Sequence, residues 1–244
     1  MKGVAGPLPP PETKAAYVRE MFGRIARRYD LMNRLMTLGR DRAWRRLAVA
    51  RLKLAGGPPG AAVLDVATGT GDLALEALRQ VPGARIVGLD FSAEMLDLAW
   101  HKAEVAGARL DLMAGDALRL PFAGGTFDGV VTGFALRNVT DIPAAFAEMA
   151  RVTRPGGRVA CLEIAKPHLP IFRKLFEWYF YRLVPIVGGL ISGQRAAYTY
   201  LPHSLTGFLT PDEIAEVMRR TGWQQVSYRR RMLGTVAIHT GVRA

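Results

Sequence analysis

The chain has 244 residues, half of them apolar, with 33 Lys and Arg against 21 Asp and Glu, a net charge of +12. That apolar content excludes a wholly disordered polypeptide, and the length fits one large α/β domain or two small ones. Cys161 is the sole cysteine, which excludes an internal disulfide framework and fits a reducing cytoplasm. The positive balance favours nucleic acid, anionic lipid or acidic ligands, or else is a plain arginine-rich solvated surface.

Residues 1–12 read as a loose tail, rich in Gly and Pro and without the apolar core of a signal peptide. Thr13 is placed to cap a helix beginning near Lys14, in which Tyr17, Met21, Phe22 and Ile25 recur at helical spacing. Tyr29–Val49 then mixes large apolar groups with Asp30, Asn33 and a run of arginines. An amphipathic helix explains Trp44, Leu47 and Leu54, but not Tyr29-Asp30 beside Met32-Asn33. Residues 13–57 are therefore expected to form a helical lid that turns polar groups toward a ligand.

Val63–Leu78, VLDVATGTGDLALEAL, changes from alternating to helical periodicity across a glycine turn, the pattern of strand, tight loop and helix. Gly69 and Gly71 let a ligand approach the backbone, and the helix start offers N–H groups to anionic oxygens. Asp65, at the strand end, can accept from an ammonium group or from the loop's own N–H groups. Asp90 closes a second strand, Arg85–Leu89, about 20 residues beyond the loop, where a carboxylate suits two ribose hydroxyls. Gly69, Gly71 and Ala74 also satisfy the dinucleotide pattern, so an NAD oxidoreductase stays open on this corner alone.

Ser92 is a good N-cap for a helix with Met95, Leu96 and Ala99 on one face. Leu110–Ala114 reads as a third strand. Asp116-Ala117 after it could either hold a nucleobase or merely cap a turn. Phe127–Thr132 is a fourth strand, followed by Gly133–Asn138, a helix over Ile142–Arg151 and a fifth strand, Arg158–Glu163, in which Cys161 is a small core residue. Residues 169–205 form an aromatic-rich insertion expected to cover the substrate. Its apolar runs fall short of the ~20 residues of a membrane span, yet its aromatics beside Arg173, Lys174 and Arg182 suit a surface resting on lipid headgroups. Thr210-Pro211 opens a helix through Arg220, and Val226–Arg230 with Thr235–Val242 makes a terminal hairpin.

The order D-x-A-x-G-x-G at Asp65–Gly71 resembles motif I of the class I S-adenosylmethionine (SAM) methyltransferases. YDLMNRLMTLGRDRAW, GFALRNVTD and RVTRPGGRVACLEIAKP resemble three signatures of the ubiquinone/menaquinone-biosynthesis C-methyltransferase family, from about Val18 to the end of the chain. Thr37, Asp41, Ala165 and His203 depart from the usual residues at their positions. The resemblance implies a Rossmann-like α/β domain over 13–244 with a seven-stranded, mostly parallel sheet. It implies SAM as methyl donor, held by Thr70, Asp90, Asp116 and Ala117 with Gly133 alongside, and no metal. The implied reaction is C-methylation of 2-demethylmenaquinol, with the ubiquinone-precursor quinol as a close relative.

An aromatic carbon attacks a sulfonium methyl well only when a neighbouring hydroxyl is ionised, and a phenol near pKa ~10 needs help for that. Arg137 is expected to meet the oxyanion, Asn138 to bond the ring oxygens and Tyr29 to complete the pocket from the lid. A water or a histidine, His203 by position, receives the proton. The expected partners are a prenylated naphthoquinol and an anionic membrane at its inner face. A homodimer is compatible with this reading and no nucleic acid is expected. An RNA-methylating protein is the alternative prompted by the charge, although no RNA-binding signature occurs.

Overall fold

The computed structural model describes residues 10–55 and 60–244. Two helices lead the chain, α1 (Pro11–Thr37) and α2 (Asp41–Ala50). Helix α1 starts two residues before Thr13, which does not cap it; Thr13 instead donates its hydroxyl to the Pro10 carbonyl. Pro11 stands at the first helical position, where a fixed φ is already helical and a missing N–H costs nothing. Most of the expected tail therefore lies outside the described residues, and its last two residues are helical. The helix continues unbroken into the Tyr29–Trp44 signature and ends within it, where Leu38 and Gly39 turn left-handed.

Then come β1 (Ala62–Val66), α3 (Asp72–Gln80), β2 (Arg85–Asp90), α4 (Ala93–Val105), β3 (Asp111–Ala114), β4 (Phe127–Gly133), α5 (Ile142–Val152) and β5 (Thr153–Ile164). The insertion is helical: α6 (Pro170–Trp178), a π-helical turn at Tyr179–Leu183, α7 (Val184–Ser192) and α8 (Arg195–Leu205). Helix α9 (Pro211–Arg220) and the strands β6 (Trp223–Arg231) and β7 (Val236–Arg243) complete the fold. Helix α9 begins as read, on a reciprocal cap between Thr210 and Glu213.

The strands make one seven-stranded sheet in the order β3-β2-β1-β4-β5-β7-β6. All neighbours are parallel as far as β5, and β7 enters antiparallel between β5 and β6. Strand β5 starts five residues earlier than its apolar pattern suggests, because Thr153 already pairs with Phe127 before a bulge resets the register at Arg158. Strand β6 is bulged as well, between Gln224 and Ser227. One face is covered by α5 and α9 through Phe146, Met149, Ile214 and Met218; the other is covered by α2 and α3 through Trp44, Ala48, Leu73 and Ala77. Cys161 is buried in the first of these cores. A third apolar cluster joins α1 to the insertion, with Val18, Ile25 and Met32 against Phe180, Val184 and Tyr198. Lid and insertion thus form one helical layer over the carboxyl edge of the sheet.

Candidate active site

Parallel strands align their carboxyl ends, so the β1, β2, β3 and β4 loops converge on one edge. Leaving β1, the chain passes Ala67 at φ 57°, Gly69 at 54° and Gly71 at 81° before α3 begins. Ala67 holds a left-handed conformation that a side chain disfavours, and such strain is tolerated where surroundings fix it. Those surroundings are polar. Thr68 donates its amide to the Leu89 carbonyl at 2.9 Å and its hydroxyl to Asp65 Oδ2 at 2.7 Å. Gly69 donates to Asp90 Oδ2 at 2.8 Å, and Gly71 to the Thr68 carbonyl at 3.0 Å. The Gly69 amide is thus taken by the end of β2 and the Gly71 amide by the loop itself.

A cavity of about 520 Å³ opens above this loop. Of the residues singled out in the sequence, Tyr29, Gly69, Asp90, Asp116, Ala117, Gly133 and Asn138 line it. Asp90 also accepts the Ser92 amide at 2.9 Å, so each carboxylate oxygen holds one backbone N–H and keeps lone pairs for the cavity. Burial raises its pKa, opposed by those same N–H groups. Asp116 and Ala117 lie across from it with Phe91, Met95 and Leu118 as apolar walls. A carboxylate for a diol, a second carboxylate with a backbone amide, and an apolar slot between them form a donor set that fits a nucleoside-bearing methyl donor.

Four of the singled-out residues do not reach this cavity. Asp65 is fully buried inside β1; burial pushes its carboxyl up to about 7, against the Thr68 hydroxyl, and its Oδ1 has no hydrogen-bond partner. It braces the loop and meets no ammonium group. Thr70 turns away, donating to Asp30 Oδ1 at 2.7 Å and accepting from Lys102 at 3.0 Å. Gly71 packs on α4, where an added Cβ would stand 3.1 Å from that of Ala99. Arg137 points into the protein, where Nη1 bonds Glu163 Oε1 at 2.9 Å and the Phe134 carbonyl at 2.8 Å. Glu163 also accepts the Leu136 amide, and burial raises its carboxyl despite the neighbouring guanidinium. This pair pins the turn that carries Asn138.

Other expectations shift too. Asp30 bonds Thr70 and Lys102, not open cavity space, and Asp41 is buried against Arg45. His203 stands edge-on to Tyr181 and lines no described cavity. His239 is buried, held near a pKa of about 4 chiefly by burial, and bonded to the Pro211 carbonyl. The insertion does not line this cavity; it reaches a neighbouring one through Tyr200 and Ser204.

Two participants escaped the sequence reading. Arg19 lines the cavity mouth, its guanidinium 5.6 Å from the Phe91 ring; its spacing between Ala15 and Phe22 on one helix face was the available signal. Lys102 sits on the Met95–Ala99 face of α4, a cation on an otherwise inward stripe.

Residues 11–243 match the ubiE/COQ5 methyltransferase family. A protein named demethylmenaquinone methyltransferase from Roseiflexus castenholzii is 50% identical over 236 residues, 97% of each chain. One of the same name from Thermus thermophilus is 45% identical, covering 91% of this chain and all of that one. A ubiquinone/menaquinone biosynthesis C-methyltransferase from Desulfotalea psychrophila is 43% identical over 95% of this chain and 92% of its own. Among solved structures, the cyclase SpnF superposes with a TM-score of 0.66 at 17% identity, covering 93% of this chain and 94% of that one. A SAM-dependent methyltransferase from Aquifex aeolicus gives 0.58 at 16% identity, covering 81% and 89%. At those identities the structural likeness is one of fold. The sequence match goes further and decides between the two cofactor readings of the glycine corner: the chain belongs to the ubiE/COQ5 methyltransferase family.

Proposed function

We propose that the chain transfers a methyl group from SAM to a ring carbon of 2-demethylmenaquinol, giving menaquinol. The observation that carries the reading is one cavity lined by Asp90 and Asp116 together with Tyr29 and Asn138. The names borne by the Roseiflexus and Thermus relatives supply the quinol; the Desulfotalea relative's name keeps a ubiquinone precursor as a second substrate. When bound, SAM supplies an electrophilic methyl group.

The chain's own residues then have four tasks. Asp90 binds the ribose, and Asp116 with the Ala117 amide holds the base. Asn138, whose Oδ1 accepts the Tyr200 hydroxyl at 3.4 Å, keeps its amide N–H groups for a phenolate oxygen. Tyr29, set edge-on to Phe22 at 5.7 Å, closes the ring's slot from the lid. Arg137 acts indirectly, because its charge is committed to Glu163 and its work is to hold Asn138 in place. Arg19 brings positive charge to the cavity wall, near Glu94, and water takes the ring proton. Alignment of carbon, methyl and sulfur supplies most of the acceleration, up to ~7–11 kcal/mol.

The enzyme works at the inner face of an anionic membrane. Ile171, Leu175, Trp178 and Leu190 of the insertion are each more than half exposed, beside Arg173, Lys174 and Arg182. No described helix is long and apolar enough to cross a bilayer. This surface, in place of an RNA partner, accounts for part of the positive charge.

Methylation assays with SAM and a demethylated naphthoquinol, run reduced and oxidised, test the proposal. The quinol is expected to react and the quinone is not, since only the quinol has an ionisable hydroxyl. Equal methylation of the oxidised ring would overturn it.

A further inference from the structure

The turn joining β6 to β7 holds two consecutive strained residues. Met232 lies at φ 46° and Leu233 at 54°, ahead of Gly234 at 91°. The left-handed region crowds any side chain, so a Met-Leu pair fills this turn at a conformational cost. Core packing does not offset it, since Met232 is 43% exposed and Leu233 59%. The turn is nonetheless held firmly. The Thr235 amide and hydroxyl both donate to the Met232 carbonyl, at 3.1 and 2.9 Å, and the Ala165 amide donates to the Thr235 carbonyl at 2.8 Å. Gly234 is buried against Pro167 and His168, where an added Cβ would stand 3.5 Å from the Pro167 Cα and 3.4 Å from the His168 Nδ1. Strain kept at a firm, exposed tip points to a use for the two side chains outside the chain itself.

Ile164 pairs with Val236, so the turn emerges at the carboxyl end of β5. That is the edge on which the β1 to β4 loops converge. Leu169 and Ile171, exposed at the start of the insertion, follow directly on His168. Residues 165–178 and 228–235 carry six cations, Lys166, Arg173, Lys174, Arg229, Arg230 and Arg231, against the one carboxylate of Glu177. Where these cations bond at all, they bond carbonyls: Arg173 that of Pro167, Arg230 that of Lys166 and Arg231 that of Arg230. None is ion-paired among the described residues, so their charge is left for an outside partner.

We propose that the Met232-Leu233 turn is a second membrane anchor, dipping into an anionic bilayer beside the insertion. The inference rests on the membrane reading above and adds a contact from a different part of the fold. An apolar pair flanked by unpaired cations matches a lipid surface, with anionic headgroups outside and hydrocarbon within. Single-stranded nucleic acid would call for aromatic faces on which bases stack, and neither Met232 nor Leu233 offers one. The aromatic ring nearby, Tyr228, is already taken by Arg230 and His239. Two contacts on one edge fix its tilt against the lipid, where a single contact would leave the domain free to pivot.

Cys161 is buried, so a cysteine introduced at the surface can carry an environment-sensitive dye alone. Leu233→Cys and, separately, Ile171→Cys are labelled in the full chain and titrated with mixed phosphatidylglycerol and phosphatidylcholine vesicles. Both dyes are expected to shift to the blue as they enter hydrocarbon. A shift at 171 without one at 233 overturns the hairpin anchor and leaves the insertion's membrane face standing. A shift at 233 alone supports the anchor and removes the insertion from the membrane reading. Silence at both positions overturns both. A response at 233 to single-stranded RNA and none to vesicles assigns the tip to nucleic acid, and also overturns the anchor. A second variant separates anchoring from folding. Met232→Asn with Leu233→Asn puts into the turn a residue that tolerates left-handed φ, so the melting temperature should hold or rise. Vesicle partitioning should fall about tenfold as the apolar tips are lost. Unchanged partitioning in that folded variant overturns the anchor.

Discussion

Lys102 Nζ lies 2.6 Å from Asp30 Oδ2, joining α4 to the lid helix across the back of the glycine turn. The same ammonium reaches Asp72 at 2.7 Å and the Thr70 hydroxyl at 3.0 Å, so it grips both the turn and the first residue of α3. Asp30 is next in sequence to Tyr29, which faces the cavity. Lys102→Met should therefore loosen lid and loop together, weakening SAM binding by ~1–3 kcal/mol, because Asp30 is left with the Thr70 hydroxyl alone and Asp72 with Arg45 alone. Calorimetry and amide exchange along α1 measure both, and unchanged exchange in α1 would disprove the coupling.

Asp90→Ala removes the acceptors proposed for the ribose and frees the Gly69 and Ser92 amides. SAM affinity should fall by roughly 1.5–3 kcal/mol, as for hydrogen bonds involving a charge. A titration showing wild-type affinity in a folded variant would refute the placement of the cofactor.

Asp65 predicts a pH signature. Its folded pKa, about 7, stands above the ordinary aspartate value of about 3.9, so between those values the folded state holds more proton than the unfolded one. Stability from this group is complete below pH about 4 and is lost as pH rises toward 7, with a slope of at most about 1.4 kcal/mol per pH unit. Asp65→Asn should flatten the unfolding profile by that amount. Parallel profiles for both proteins, from denaturant titrations at constant ionic strength, would contradict it.

Arg137→Ala leaves Glu163 buried and unpaired and should destabilise the fold by about 3–5 kcal/mol. If Arg137 works by holding the turn, Glu163→Gln must also lower turnover, since it removes the charge that pairs Arg137 and leaves one acceptor oxygen where Arg137 and the Leu136 amide need two. A Glu163→Gln enzyme of full turnover would restore a direct role for the guanidinium at the oxyanion.

Vesicle co-sedimentation checks the membrane face. Binding should weaken with salt through Arg173, Lys174 and Arg182, and keep a salt-resistant part through Ile171 and Trp178. Trp178→Ala should remove mainly that resistant part. Equal partitioning onto neutral and anionic vesicles would rule out the charged component.

Legibility in the sequence followed the range of the interactions. The β1 strand, its glycine turn and the helix start at Thr210-Pro211 are written in neighbouring residues, and they stand where their pattern put them. The seven-stranded sheet came from family resemblance, because β7 joins β5 through pairs such as Cys161 with His239 that no local pattern announces. Asp90, Asp116 and Asn138 reach the cavity because strand ends converge. Arg137 does not, because its partner Glu163 lies 26 residues away on β5. Asp30 was read as facing a ligand, yet a lysine 72 residues later claims it. A polar side chain on a lid advertises a partner without saying whether that partner is ligand or protein.

The order of the sheet bears on how its open edges are protected. An open sheet has two rims whose free amides and carbonyls can template further strands. Here one rim is β3, only four residues long, and the other is β6, which is bulged and carries Arg229, Arg230 and Arg231 in succession. Short length at one rim, and a kink with repelling charge at the other, are the usual protections against edge-to-edge aggregation. Part of the chain's positive charge thus guards the outer rim of the sheet.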